Sequence, residues 1–349
     1  MRLFSLFLPQ FHPIPENDEW WGKGFTEWVN VKAATPLFQG HRILHPYGDN
    51  YYNLLNKKIM EWHTSLLKQY HIDGMIYYHY YFKGKLLLEK PAENLLKWKD
   101  IDQPFFFCWA NHPWKRSWEG KQDIIMPLDY GNESDWEIHF QYLLPFFRDV
   151  RYEKKDNMPL FMIFKSDFVE KNDMFSYFDK RCQEEGFDGL CLIETFQKLQ
   201  ANYRAHKTYT KKQYFYFRQP DVQKNEYVMN IGIFNRILRK IKRIIKYKGI
   251  PVYNGDILME RLITSCPQGD NIINGLWFEW DNTYRHKKRG YIIAPYSKDL
   301  FFKYMNLNKD NEYMFINAWN EWCEGMTLEP TKEYGYKYLE WIKEWKESF

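Results

Sequence analysis

The 349-residue chain lacks any run of about 20 consecutive apolar residues, which excludes a membrane-spanning helix as an expectation. Cysteine is sparse: Cys108, Cys182, Cys191, Cys266 and Cys323 are odd in number and never closer than nine positions. That spacing fits neither a CxxC metal site nor a disulfide framework, so a reducing compartment is expected. No Gly/Ser-rich linker, low-complexity tract or fixed-period repeat interrupts the sequence, and one domain over residues 1–349 is expected. Charge of one sign is not in excess either. A formal net charge of +4 is too mild to argue for a nucleic-acid partner. The opening MRLFSLFLPQFHPIPEND is apolar only briefly and is broken by Pro9, His12 and Pro13, unlike a signal peptide. A cytoplasmic location follows as the expectation. The histidines are scattered without ligand spacing, so neither a metal nor another cofactor is expected.

What the chain has in quantity is aromatic: 27 Phe, 27 Tyr and 15 Trp make up 20% of it. With 45% hydrophobic residues, this excludes a disordered chain. The apolar residues fall in short runs: Arg2 to Phe11, Ile72 to Phe82, Pro104 to Asn111, Pro159 to Ser166, Gly189 to Phe196, Gln213 to Pro220, Gly275 to Asn282 and Glu312 to Trp322. Such runs, not alternating with polar residues, fit parallel strands buried on both faces. Helical spacing marks Asn53 to Tyr70, Trp136 to Phe147, Asp173 to Glu185, Phe234 to Tyr247 and Tyr336 to Trp345 between or after them. Strand and helix in alternation, with eight strand candidates, predict a single (β/α)₈ barrel with elaborated βα loops. A doubly wound sheet is the rival.

Five of these runs end in groups suited to chemistry or sugar binding, and in a barrel all strand C-termini meet at one face. The sharpest end is INAWNEWCEGMTLEP, Ile316 to Pro330, where Glu321 and Glu324 stand three apart between Trp319, Trp322 and Gly325. Two close carboxyls push their pKa values apart, which equips one to donate a proton while the other accepts one. The bland alternative is a helix cap and a surface ion pair, since ExxE is common. Trp20, Trp21, Trp28, Trp109, Trp114, Trp118, Trp277, Trp280, Trp319 and Trp322 cluster in these loop segments. Indole faces stack on sugar rings and keep an N–H to donate, which favours a glycan site over plain core.

FLPQFHPIPENDEWWGKGFTEWVNV (Phe7 to Val31), PLFQGH (Pro36 to His41), YHIDGMIYYHYYFKGKLLLEKP (Tyr70 to Pro91), CWANHPWKRSWEG (Cys108 to Gly120), WDNTYRH (Trp280 to His286) and FINAWNEWCEGMTLEP (Phe315 to Pro330) together resemble the WbsX-type polysaccharide-biosynthesis family. That family is similar to glycoside hydrolase family 99, whose endo-acting α-mannan enzymes are (β/α)₈ barrels. The resemblance implies that Glu321 takes the proton of a sugar 2-hydroxyl to give a 1,2-anhydro sugar, while Glu324 protonates the leaving oxygen and then activates water. It thus implies a retaining hydrolase acting on an oligo- or polysaccharide, with an internal α-mannose-type linkage as the expected target. Two positions depart from the family: His112 and Pro113 stand where it carries an acid before Asn-Trp, and Arg218 and Gln219 end the sixth strand where an acid is usual. The pocket is expected to hold Glu321 and Glu324 as catalytic groups, with His12, Glu27, Trp28, Tyr77, His79, Trp109, Asn111, Trp118, Asp281 and Asn320 around the substrate. A glycosyltransferase of surface-polysaccharide assembly and a non-catalytic glycan-binding protein remain the alternatives. No GxGxxG, P-loop or DxD at a strand end marks a nucleotide-sugar site.

Residues 231–250, IGIFNRILRKIKRIIKYKGI, carry seven Lys or Arg and no acid. Phe234, Ile237, Leu238, Ile241, Ile244 and Ile245 form one helical stripe. One reading is a weak peripheral contact with an anionic membrane leaflet. The other, which a barrel favours, is an outer helix that packs its stripe inward and solvates its charges.

Overall fold

The computed structural model describes residues 1–115, 124–166, 173–198, 208–219 and 232–349. Eight parallel strands close into a barrel among them: β1 (Arg2–Phe7), β2 (Gly74–Phe82), β3 (Phe105–Trp109), β4 (Met158–Ile163), β5 (Cys191–Phe196), β6 (Lys212–Phe217), β7 (Ile272–Leu276) and β8 (Tyr313–Ile316). Each pairs with the next in the chain, and β1 closes the ring by pairing with both β2 and β8. These strands are buried almost throughout because helices cover their outer faces, which is why their sequences run apolar rather than alternating.

Inside the barrel, Phe4 of β1 meets Phe106 of β3 edge to face, and Phe106 and Tyr216 both pack against Phe315 of β8. Gly74 makes this layer possible. A Cβ there would lie 2.5 Å from the Pro104 carbonyl oxygen and 2.6 Å from the Phe4 ring. The alternation of small and large residues fills the barrel without leaving a pore.

Around the strands lie α1 (Lys57–Gln69), α2 (Lys90–Lys97), α3 (Glu133–Phe147), α4 (Met174–Glu184), α5 (Ile233–Ile245), α6 (Gly255–Ser265), α7 (Lys298–Leu307) and α8 (Lys337–Lys346). Asn56 and Asn132 fix two of the starts by accepting backbone N–H groups, so α1 begins at Lys57 rather than at Asn53. The long β1–α1 excursion contains two short helices, Pro15–Trp21 and Glu27–Ala33, that the apolar periodicity did not reveal.

Two expectations are corrected. The seventh strand runs over Ile272–Leu276, not from Gly275 to Asn282. Its aromatic continuation has other uses: Phe278 stacks on Tyr338 of α8 at 4.4 Å, and Trp280–Asp281 joins a small separate sheet. The second correction concerns α5, whose stripe does not pack inward. Ile237, Leu238, Ile241, Ile244 and Ile245 are all exposed, Ile244 at 64% and Ile245 at 77%.

Candidate active site

A cavity of about 630 Å³ opens at the C-terminal ends of the barrel strands. Each strand end delivers side chains according to its pleat. In β2, Tyr78 and Tyr80 point into the cavity, while Tyr77, His79 and Tyr81 point outward. Trp114 from the loop after β3 packs edge to face against Tyr80 and Trp20. Trp21, Phe164 and His112 complete an aromatic wall.

Opposite lie the charges, and they come from the loop after β8. Asn320 locks that loop to the end of β1: its Oδ1 accepts from Leu8 N at 2.7 Å and its Nδ2 donates to Leu8 O at 3.0 Å. Asn320–Glu321 then pairs with Met326–Thr327, so the chain reverses through Trp322–Glu324 and Gly325. Gly325 has φ +53°, and a Cβ there would approach Asp281 Cβ to 2.7 Å. This reversal brings Glu321 and Glu324 to the same cavity.

Arg285 links them. Its Nη1 donates to Glu324 Oε1 at 3.0 Å, and its Nη2 donates to Glu27 Oε1 at 3.0 Å and lies 3.6 Å from Glu321 Oε2. Burial opposes the guanidinium charge, but Glu27 and Glu324 more than offset it and hold the Arg285 pKa well above its usual value. Glu321 lies on the other side of this balance. Burial, reinforced by the negative Glu324 beside it, pushes its pKa up to about 8 against the pull of Arg285. Glu321 Oε2 accepts no hydrogen bond from the described residues. Burial and the neighbouring Glu324 thus favour the protonated form of Glu321, while Glu324 accepts a hydrogen bond from Arg285. Arg218, at the end of β6, adds a second cation 3.8 Å from Glu324 Oε2 and covers the faces of Phe164 and Trp280.

Of the residues expected around a substrate, Glu27 reaches the cluster through Arg285. The others among the described residues sit behind the wall. His12 is buried, with its pKa lowered to about 4 by desolvation. Trp28 donates to Tyr52 O and packs on Phe11. Tyr77 accepts from Gln103 Nε2 at 2.7 Å, and His79 faces His139 of α3 at 2.8 Å. Trp109 packs edge to face on that same His139. Asn111 ties β3 to β4 by bonding both backbone groups of Lys165. Asp281 accepts from Thr283 N and faces His41 Nε2 at 2.6 Å. Asn320 is the loop anchor described above, and Trp118 lies outside the described residues.

For Tyr77 and His79 the reason is parity: in an all-apolar strand nothing in the sequence says which alternate residues face the barrel interior. No sequence signal marks Tyr78 or Arg285, although Arg285 lies inside the WDNTYRH segment. Of the ten loop tryptophans, Trp21 and Trp114 line the cavity among the described residues. Both departures from the family pattern, His112 and Arg218, also line it. Among the described residues no group of three or more His, Cys, Asp or Glu is arranged to hold a metal ion.

The profile of the family described as Glycosyltransferase WbsX matches residues 3–342. The uncharacterized protein WxcX of Xanthomonas campestris pv. campestris is 28% identical over 361 residues, covering 97% of this chain. Only 48% of that relative is covered, so the chain spans about half the length of the curated relatives it matches. Among solved structures, the GH99 endo-alpha-mannosidase from Bacteroides thetaiotaomicron superposes with a TM-score of 0.59 at 12% identity, covering 99% of this chain and 97% of that one. A protein described as glycoside hydrolase-like superposes with a TM-score of 0.56 at 13% identity, covering 99% and 93%. At these identities the likeness is one of fold: a (β/α)₈ barrel shared with GH99 enzymes.

Proposed function

Since the chain belongs to the WbsX glycosyltransferase family, we propose that it is a carbohydrate-active enzyme that breaks or transfers a glycosidic bond with Glu321 and Glu324. The observation that carries this reading is a carboxyl pair sharing one cavity and one arginine, with burial and the neighbouring carboxylate favouring the protonated form of Glu321. Acid–base cleavage of a glycosidic bond requires one carboxyl that donates a proton and one that accepts it. Tyr78, Tyr80, Trp21 and Trp114 supply ring faces for sugars, and a cavity of about 630 Å³ accommodates a short oligosaccharide.

The substrate is an α-linked glycan of mannose type, cleaved internally with retention through a 1,2-anhydro sugar. One carboxyl removes the 2-hydroxyl proton as that oxygen bonds to the anomeric carbon. The other gives its proton to the departing glycosidic oxygen. Family resemblance makes Glu321 the base and Glu324 the acid, whereas the raised pKa of Glu321 would suit it as the proton donor. Water or a sugar hydroxyl then opens the three-membered ring, regenerating both carboxyls. The family's description favours a sugar acceptor over water, and the two outcomes share every residue named here. The enzyme acts at the inner face of the membrane in polysaccharide assembly.

Glu321→Gln and Glu324→Gln are expected each to lower turnover of an α-mannan oligosaccharide by about a thousandfold. Binding measured by calorimetry should persist in both. Undiminished turnover in either variant would sink the mechanism, and unchanged biological activity in both would favour a glycan-binding protein. Calorimetric binding of a sugar nucleotide by the wild-type chain would point to a nucleotide-dependent transferase.

A further inference from the structure

Helix α5 is built the wrong way round for an outer barrel helix. Viewed down its axis at 100° per residue, Ile237, Ile241, Ile244, Ile245 and Leu238 occupy one continuous stripe. In an ordinary barrel helix that stripe faces the strands. Here all five side chains face solvent, from 40% exposed at Leu238 to 77% at Ile245. Contiguous exposed apolar surface of this kind marks an interaction site.

The charges settle which partner fits. Residues 232–249 carry Arg236, Arg239, Lys240, Lys242, Arg243, Lys246 and Lys248 and no acid. On the same projection Lys240 and Arg236 border the stripe on one side and Lys242 on the other. A protein groove would have to be apolar at its floor and acidic on both rims. A bilayer containing anionic lipid offers that combination over any area, with acyl chains beneath a negative headgroup layer.

A second feature lies beside the helix. A cavity of about 500 Å³ between α5 and α6 is lined by Leu238, Arg239, Lys242, Arg243 and Arg261, with Tyr253 at its wall. No acid lines it. Arg239 lies over the Tyr253 ring at 5.6 Å, and the Arg243 Nε donates to Gly249 O. The cavity thus places several cations beside the apolar stripe, at the depth where lipid phosphates would lie if the stripe entered the acyl layer.

We propose that α5 is an interfacial helix that docks the enzyme on anionic phospholipid, with its isoleucines in the acyl layer and its basic flanks and the adjoining cavity against the lipid phosphates. No helix among the described residues is long and apolar enough to cross a membrane, so attachment would be peripheral and reversible. The proposal uses no residue of the candidate active site.

The test is flotation of the full chain with vesicles of phosphatidylcholine alone or mixed with phosphatidylglycerol. Binding is expected to the mixed vesicles, to weaken as salt is raised, and to be absent from the neutral ones. The variant Ile241→Asp/Ile244→Asp is expected to lower the bound fraction about tenfold or more, and Lys240→Glu/Lys246→Glu to do likewise. Both variants should keep the wild-type circular dichroism spectrum and turnover of a soluble oligosaccharide. Failure to float with mixed vesicles would overturn the proposal. So would equal flotation with neutral vesicles, or binding that survives the isoleucine substitutions. A dimer in light scattering that the aspartates dissolve, with no vesicle binding, would instead assign the stripe to a second copy of the chain and equally overturn it.

Discussion

Replacing Arg285 by methionine would leave the buried Glu27 without its ion-pair partner and remove the bridge to Glu324. Stranding a buried charge in this way typically costs about 3–5 kcal/mol, so the urea midpoint should fall sharply. Arg285→Lys keeps the charge but cannot send two N–H groups to two carboxylates at once, and it should recover only part of that loss. The pH profile of kcat/KM reads the neighbouring carboxyl directly. With Glu321 as proton donor, kcat/KM should fall as pH rises through about 8, and Glu321→Gln should remove that limb. A rise through the same region would make Glu321 the base. Gly325→Ala is a further probe at this scale: a left-handed φ and a 2.7 Å approach to Asp281 Cβ leave no room for the methyl. It should cost about 1–3 kcal/mol and displace the carboxyls on either side of the turn.

At the scale of the element, β2 separates binding from support. Tyr80→Ala should raise KM, because the ring lines the cavity, and also lower stability, because it is buried against Trp114. His79→Ala should lower stability and leave KM unchanged, because its partner is His139 in the helix layer. Comparing KM and the urea midpoint for the two variants checks the assignment. The same strand explains how much was readable beforehand. Apolar runs located the barrel strands, and the Glu321–Glu324 segment was singled out from spacing and composition alone. Pleat was not readable, because alternation carries information only when one face is polar, and β2 is buried on both. Tyr77 and His79, which face outward, are therefore not distinguished in sequence from Tyr78 and Tyr80, which line the cavity. Arg285 was hidden for a different reason. Its importance comes from carboxylates 258 and 39 residues away in sequence, a convergence no local pattern encodes. The direction of the α5 stripe was hidden too, since periodicity shows that a helix is amphipathic and not which side its partner lies on.

For the whole molecule, the buried titratable groups predict a stability maximum near neutral pH. His12 and His79 have pKa values lowered to about 4 and about 3 by burial, and burial also holds His139 well below the usual histidine value. As pH falls below 6.5 the unfolded chain takes up protons that these folded histidines refuse, so stability falls by about 1.4 kcal/mol per pH unit for each. Glu279 and Glu321 oppose this, because burial raises them to about 7 and about 8. Their protonated folded forms lose stability as pH rises from 4.5 toward those values. The histidines outnumber them on the acid side and drop out above 6.5, so urea midpoints should peak near pH 6.5 and decline on both sides. The closed ring further predicts one cooperative transition, with near- and far-ultraviolet dichroism melting together. That ring closes where the first strand meets the last, and Asn320 fastens the seam one residue before Glu321. During synthesis the residues of the aromatic wall emerge early and the two carboxylates late, so the candidate site is incomplete until the eighth strand arrives. Closure of the seam thus brings the last two carboxylates of the candidate site into place.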